Sequence, residues 1–364
     1  METFACRCGN TLFFRNVDCS VCGRQVAFLP DQQRLSALEA AGDALQPVSP
    51  GTRRTPYRLC ANYVEHNVCN WAVPAAQEAA LCPACRLNRT IPDLSIPENR
   101  PLWGRLEQAK HHAIYSLLRL GLPVIDKTTD PERGLAFDFM ADKTPESEFT
   151  EPLTTQDPVL TGHAEGVITL NIAEADPIAR TRIRRHLGED YRTLLGHFRH
   201  EIGHYYWEYL LPGSPRLEEF RRLFGDERAD YGEALQAHYA KGVQTEWPEI
   251  FISPYASAHP WEDWAECWAH YLHMVDTLET ADDFGLHVND RLVPHRPEQE
   301  TPVAIAPPGR DFDTMLGDWL RLSVAMNGLN RSMGLEDAYP FVLTEPVQDK
   351  LRFVHAVIGE AARQ

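Results

Sequence analysis

Residues His200 to His204 read H-E-I-G-H, and the spacing of the two histidines demands a helix at this point. An α-helix advances about 100° per residue, so side chains four apart stand above one another on one face. Two imidazoles placed in this way can share one metal ion, with the Glu201 carboxylate beside the first of them as a candidate base. The apolar residues Leu194, Leu195, Phe198, Ile202, Tyr205, Tyr206 and Leu210 surround the motif. The helix is therefore expected over 191–210 and expected to be mostly buried, which would keep a metal site dry. His197 falls near the same stripe but a further turn from the midpoint of the pair. It reads as a packed or supporting histidine.

A second constraint lies at the front of the chain. Eight of the nine cysteines fall within the first 85 residues. In a reducing compartment such crowding points to metal binding more than to disulfides. Cys6, Cys8, Cys19 and Cys22 form C-x-C-x10-C-x2-C, two close pairs that can give four thiolates to one tetrahedral zinc with a hairpin between them. Cys60, Cys69, Cys82 and Cys85 form a looser C-x8-C-x12-C-x2-C, expected to be a second structural zinc site, with His66 in place of one thiolate as the alternative. Four thiolates close a tetrahedron, so these modules are expected to staple small pieces of chain or to dock a partner. Residues 1–40 read as a zinc ribbon, 41–58 as a linker rich in small residues, Pro and Gly, 59–90 as a second four-cysteine zinc module and 91–100 as a further linker.

Charge and composition narrow the class. The formal net charge of −17 argues against nucleic acid as the main partner, because phosphate binding needs a concentrated basic surface. The front is near neutral, with 10 Lys+Arg against 9 Asp+Glu in residues 1–100, so the acidic excess lies in the remainder. No long uncharged apolar run is present, and the start, METFACRCGN, lacks the basic and apolar regions of a signal peptide. A cytoplasmic chain with no membrane partner is expected.

Between the front and the motif, Leu102–Leu120 carries a helical pattern in which the adjacent His111 and His112 read as surface or boundary residues. Residues 134–140 and 166–171 read as strands. The second of these, GVITLN, is a candidate upper edge of a cleft where an extended peptide could add itself. A basic run, Arg180, Arg182, Arg184 and Arg185, reads as a solvated helix face. Pro212–Gly242 reads as a helical insertion, 276–310 as an acidic loop or cleft rim, and 312–326 and 347–359 as closing amphipathic helices.

Two histidines need a third protein ligand, with one position left open. The continuation H-E-x-x-H-x-x-G-x-x-H is absent, because Trp207 and Leu210 follow His204. Further on, H-P-W-E-D-W-A-E-C-W-A-H runs from His259 to His270, with Pro260 suited to a first helical turn. Glu262, Glu266 and His270 recur every four residues and make one polar stripe on an otherwise apolar helix. Buried carboxylates need partners, and a metal with its histidines would supply them. Asp263 points off the stripe and reads as a surface charge.

Here the chain resembles the gluzincins, zinc peptidases whose third ligand is a glutamate on a second helix, and Glu262-Asp263-Trp264-Ala265-Glu266 is similar to the E-x-x-x-E form found in relatives of anthrax lethal factor. The resemblance implies that Glu262 is the ligand and Glu266 an acceptor that orients a ligand histidine; Glu266 as the ligand is the alternative. In the lethal-factor type a tyrosine stands seven residues before the ligand glutamate. Tyr255 stands seven before Glu262, which implies that it stabilises the oxyanion, with His259 as its rival. Over its full length the chain resembles a family of bacterial zinc-binding metallopeptidases that carry a zinc ribbon in front, through G-H-F-R-H-E-I-G-H-Y-Y-W and H-P-W-E-D-W-A-E.

The fold expected is α+β: N-terminal zinc-ribbon-like four-cysteine modules, then over 101–364 a mostly helical zincin, gluzincin-like metallopeptidase domain with a small sheet. The function expected is hydrolysis of peptide bonds in a peptide or protein substrate, with one catalytic and two structural zinc ions. Zinc would supply Lewis acidity and an activated water, Glu201 would take its proton and return it to the leaving amine, and Tyr255 would hold the oxyanion. A reading from a different class is an adaptor that binds a protein or nucleic-acid partner through its zinc modules and whose peptidase-like domain is latent or slow.

Overall fold

The computed structural model describes residues 2–142, 161–181, 193–241, 247–286, 288 and 311–363. The chain divides into two units, one made of Thr3–Leu118 with Pro123–Tyr205 and the other of Met1–Glu2, Arg119–Leu122 and Tyr206–Gln364. Among the described residues no helix is long and apolar enough to cross a membrane.

The first unit opens with a two-stranded antiparallel ribbon, β1 (Phe4–Ala5) and β2 (Thr11–Leu12). A five-stranded antiparallel sheet follows in chain order, β3 (Val26–Leu29), β4 (Arg34–Ala41), β5 (Ala44–Pro47), β6 (Tyr57–Leu59) and β7 (Ala72–Pro74). The stretch 41–58, expected to be a linker, therefore supplies β5 and most of β6. Its alanines and prolines carry little strand preference of their own, and the pairing with β4 and β7 imposes the extended form. A one-turn helix, α1 (Ala61–Val64), lies between β6 and β7.

Helix α2 (Asn99–Arg119) starts within the expected linker 91–100 and buries Trp103, Leu106, Ala113, Ile114 and Leu117. Its Tyr115 ring lies 4.9 Å from Phe14 and 5.7 Å from Phe28, and Phe28 lies 4.7 Å from Trp71. The cysteine-bearing front and the first long helix thus share one aromatic core. His111, read as a surface or boundary residue, is 3% exposed inside it.

A four-stranded sheet of order β10-β11-β9-β8 completes this unit, with β8 (Asn88–Thr90), β9 (Ala136–Met140), β10 (Gly162–Ala164) and β11 (Val167–Asn171). β8, β9 and β11 run parallel, and β10 pairs antiparallel with β11. Glu165 at φ 49° and Gly166 at φ 76° form the tight turn of this hairpin. Positive φ at both central positions is the turn whose twist matches the strands it joins. The strand expected at a cleft edge, β11, is enclosed on both sides, and β10 is the outer strand.

Helix α3 (Leu194–Leu210) is capped by Thr193, whose Oγ1 accepts from the Gly196 amide at 2.9 Å. Phe198 turns toward the sheet, 5.6 Å from Phe137 and 6.3 Å from Phe139. Tyr191, the expected start of this helix, and Arg182, Arg184 and Arg185 lie outside the described residues.

The second unit is helical: α4 (Leu217–Phe224), α5 (Tyr231–Lys241), α6 (Trp247–Ile250), α7 (Pro260–Asp283), α8 (Phe312–Ser332) and α9 (Glu345–Ala361). α7 extends through residues 276–283, which were expected to open a loop, because Leu278 and Ala281 continue its buried face. Its core is aromatic: Trp264 lies 6.0 Å from Phe224 and from Phe353, and Trp268 stacks on Tyr206 at 4.9 Å. Asp263 is fully buried rather than a surface charge, since Lys350 of α9 reaches its Oδ2 at 2.6 Å. Lys350 also donates to the Ile250 carbonyl at 2.9 Å.

Removing one member of a buried ion pair leaves the other charged and unpaired. Asp263→Asn should therefore cost about 3–5 kcal/mol in urea unfolding, and the double variant Asp263→Asn/Lys350→Met should recover most of the loss. Equal losses in single and double variants would show that the pairing is not what matters.

Candidate metal centres

The first cysteine group is built by β1, β2 and the turn that follows. Cys6, Cys8, Cys19 and Cys22 bring their sulfurs within 4.8 Å of one another, with Cys6–Cys22 at 3.6 Å and Cys8–Cys19 at 3.7 Å. Four sulfurs at about 2.3 Å from a tetrahedral zinc lie about 3.8 Å apart, so the group has the right size. Gly23, at φ 68°, donates its amide to the Cys19 carbonyl at 2.8 Å, closing the turn that carries Cys19 and Cys22. Backbone amides of Cys22 and Val21 help to bring the Cys19 thiol down to about 6, which favours the thiolate a metal requires.

The second group, Cys60, Cys69, Cys82 and Cys85, is fully enclosed. Cys69 and Cys82 sulfurs lie 3.8 Å apart. Amides of Trp71, Cys82 and Cys85 donate to the sulfurs of Cys69, Cys60 and Cys82 at 3.3, 3.3 and 3.4 Å. Such donors suit negatively charged sulfur. His66, the alternative fourth ligand, instead packs its ring on Trp103 at 5.5 Å. The ninth cysteine, Cys267, is buried with its thiol 3.7 Å from Asp263 Oδ1.

Helix α3 carries two further side chains that could hold a metal. His200 and His204 present their Nε2 atoms to each other at 3.2 Å, close to the roughly 3.3 Å that two imidazoles take on one tetrahedral zinc. Glu201 is buried, and His197 Nε2 lies 3.2 Å from its Oε1. The other nitrogen of His197 meets Glu174 Oε2 at 2.7 Å. Glu174 sits in the 3-10 turn Ile172–Ala175, which Asn171 caps by accepting from the Ala173 amide. His197 is thus a clamp between two carboxylates.

Burial alone would raise the Glu201 carboxyl, but the His197 hydrogen bond and the histidine charges bring it below its ordinary range. It is therefore ionised and able to accept a proton. Burial would likewise lower His197, but the charge and hydrogen bonds of Glu174 and Glu201 prevail and hold it at about 9.

One residue that sequence reasoning missed stands beside this group. His163 of β10 stacks its ring parallel to His204 at 6.4 Å between centroids. Burial, then the charge of His204, pushes it down to about 4, so it is neutral. Its Nε2 accepts from the Gly166 amide at 3.1 Å, which leaves the ring proton on Nδ1.

The remaining expected site residues belong to the second unit. Glu262, 1% exposed, stands in the first turn of α7, and the Tyr231 hydroxyl donates to its Oε1 at 2.6 Å. Tyr231 begins α5, so the stretch 212–242 contributes a partner for this carboxylate. Glu266, one turn on, accepts from Ser253 Oγ at 2.6 Å. Tyr255 opens the 3-10 turn Tyr255–Ala258 just before α7, its ring edge-on to His238 at 6.3 Å. His259, its rival, has a capping role: Nδ1 accepts from the Trp261 amide and Nε2 donates to the Ala229 carbonyl, both at 3.1 Å.

The family described as "Putative zinc-binding metallo-peptidase" matches residues 99–357, and a zinc-ribbon domain family matches residues 3–96. The chain belongs to this metallopeptidase family. Uncharacterized proteins of Mycobacterium tuberculosis and of Mycobacterium bovis are 40% identical to it over 364 residues, covering all of this chain and 96% of theirs. No solved structure matches the chain at a significant level. Both family descriptions name zinc, and the cysteine sets and the imidazole pair are the ligand types zinc takes. The zinc ribbon in front and the mostly helical body behind it accord with the α+β architecture expected.

Because the folded His197 binds its proton more tightly than an ordinary histidine near 6.5, the ion cluster contributes stability that is fully present below that value. The contribution is lost as pH rises through about 9. The stability advantage of the unsubstituted protein over Glu174→Gln should accordingly shrink between pH 6.5 and 9, as read by denaturant titration at several pH values. A constant advantage across that window would contradict the assigned pairing.

Proposed function

We propose that the protein is a zinc-dependent peptidase whose metal is held by His200, His204 and Glu262, with Glu201 as the general base. The observation that carries this reading is the α3 face itself: two Nε2 atoms at 3.2 Å, and one residue from the first of them a buried carboxylate held by His197. The membership of a zinc-binding metallopeptidase family and the buried Glu262 carboxylate support it. Zinc, when bound, supplies Lewis acidity and lowers the pKa of a water to roughly 7.

The chain's own residues do the rest. Glu201, ionised and fixed in direction by His197, takes the proton from the attacking water and delivers it to the leaving amine. Tyr255 stabilises the developing oxyanion by a hydrogen bond from its hydroxyl, which keeps its proton. Glu266, steadied by Ser253, orients a ligand histidine. His163, neutral and carrying its proton on Nδ1, is a further donor beside His204. An extended peptide adds to the outer strand β10, whose second edge is unpaired among the described strands. The two four-cysteine groups hold structural zinc.

Glu201→Gln keeps the shape of the side chain and removes its basicity. It should retain zinc and lose about 10²–10⁴ in cleavage of a proteome-derived peptide library read by mass spectrometry. Identical cleavage profiles and rates for the two proteins would sink the mechanism. Metal analysis should find about three zinc ions per chain, and about one fewer in His200→Ala. Full zinc retention in that variant would remove the assigned ligand.

A further inference from the structure

The enclosed second cysteine group has a neighbour that its four sulfurs do not account for. His111 Nε2 stands 3.3 Å from Cys69 Sγ, 3.6 Å from Cys85 Sγ and 3.9 Å from Cys82 Sγ. An imidazole nitrogen and a thiolate sulfur on one tetrahedral zinc, at about 2.0 and 2.3 Å from the metal, lie about 3.5 Å apart. The nitrogen therefore sits against three sulfurs at ligand-to-ligand spacing. Cys60 Sγ meets the same three sulfurs, within 4.8 Å. One triangular face, Cys69–Cys82–Cys85, is shared by two candidate fourth ligands.

The ring is held for this role. His111 Nδ1 lies 2.6 Å from the Glu107 carbonyl, which can only accept, so Nδ1 carries a proton and Nε2 is the nitrogen turned to the sulfurs. A histidine that ligates through one nitrogen and donates from the other to a carbonyl is the usual arrangement at zinc. Trp71 packs edge-on against the ring at 5.1 Å and limits its rotation.

Glu107, whose Oε2 approaches Cys85, is anchored through its other oxygen. Its Oε1 accepts from Trp103 Nε1 at 3.0 Å, Asn88 Nδ2 at 2.7 Å and Lys110 Nζ at 2.8 Å. Its Oε2 lies 3.9 Å from Cys85 Sγ and 3.4 Å from His111 Nδ1, beside the ring nitrogen that is turned away from the sulfurs.

We propose that the second four-cysteine centre has a fifth ligand atom, His111 Nε2, which can take the place of Cys60 as the fourth ligand on the Cys69–Cys82–Cys85 face. The metal is then held by four cysteines or by three cysteines and a histidine without a change in the other three positions. Cys60 belongs to the ribbon, just ahead of α1, whereas His111 belongs to α2, inside the region matched by the metallopeptidase family. Exchange between them transfers one bond of the zinc from the ribbon to the first helix of that region.

The test counts zinc in the full-length protein and uses cobalt as a spectroscopic substitute. Cys60→Ser should keep as many zinc ions as the unsubstituted chain, and its cobalt form should lose one sulfur-to-metal charge-transfer contribution and shift its visible bands toward a three-sulfur, one-nitrogen set. Cys69→Ser and the double variant Cys60→Ser/His111→Gln should each lose one zinc. Loss of one zinc by Cys60→Ser alone overturns the proposal. Should Cys60→Ser fail to fold, His111→Gln on the native cysteines should release one zinc to a chelator about tenfold faster, because no second ligand catches the metal when Cys60 lets go. An unchanged release rate overturns it equally.

Discussion

Lone pairs of sulfur and imidazole nitrogen held three to four ångström apart in a dry interior repel one another unless a proton or a metal cation lies between them. The rest of the structure is arranged around that constraint. Cys69 and Cys82 sulfurs at 3.8 Å and His200 and His204 nitrogens at 3.2 Å are spacings that a shared proton can bridge and that suit the ligands of a tetrahedral zinc. The first unit spends its regular structure on this positioning. A five-stranded sheet and α2 enclose the second cysteine group, and a four-stranded sheet backs the α3 helix through Phe137, Phe139 and Phe198.

The same logic extends to the carboxylates. Glu201, Glu174, Glu107, Glu262 and Asp263 are all buried, and each has a named partner: His197 for the first two, Lys110, Trp103 and Asn88 for the third, Tyr231 for the fourth and Lys350 for the last. A buried carboxylate with a fixed partner keeps its orientation, which is what a base or a ligand needs. The geometry of the proposed site and the stability of the fold therefore draw on the same hydrogen bonds. The His197 clamp is the clearest instance, since it both keeps Glu201 ionised and ties α3 to the turn after β11.

What could be read from the sequence was what its local periodicity writes. The i, i+4 spacing of His200 and His204, the apolar frame of α3, the stripe along α7 and the cysteine pairs all depend on residues near one another in the chain. The partners that complete these groups come from far away. His111 reaches Cys69 across 42 residues, Tyr231 reaches Glu262 across 31, and Lys350 reaches Asp263 across 87. No local pattern marks such residues, so His111 and Asp263 looked like surface positions and the stretch holding Tyr231 looked like an insertion. The 41–58 segment was obscure for a related reason: its strands owe their form to neighbours on either side and not to their own composition.

We propose that His200, His204 and Glu262 hold one zinc ion. Anomalous X-ray diffraction at the zinc edge, on crystals of the protein purified without added metal or chelator, tests it most directly. A peak bounded by His200 Nε2, His204 Nε2 and the Glu262 carboxylate is expected, in addition to peaks within the two cysteine groups. Peaks at the cysteine groups alone, with none at the histidine pair in fully ordered density, would contradict it.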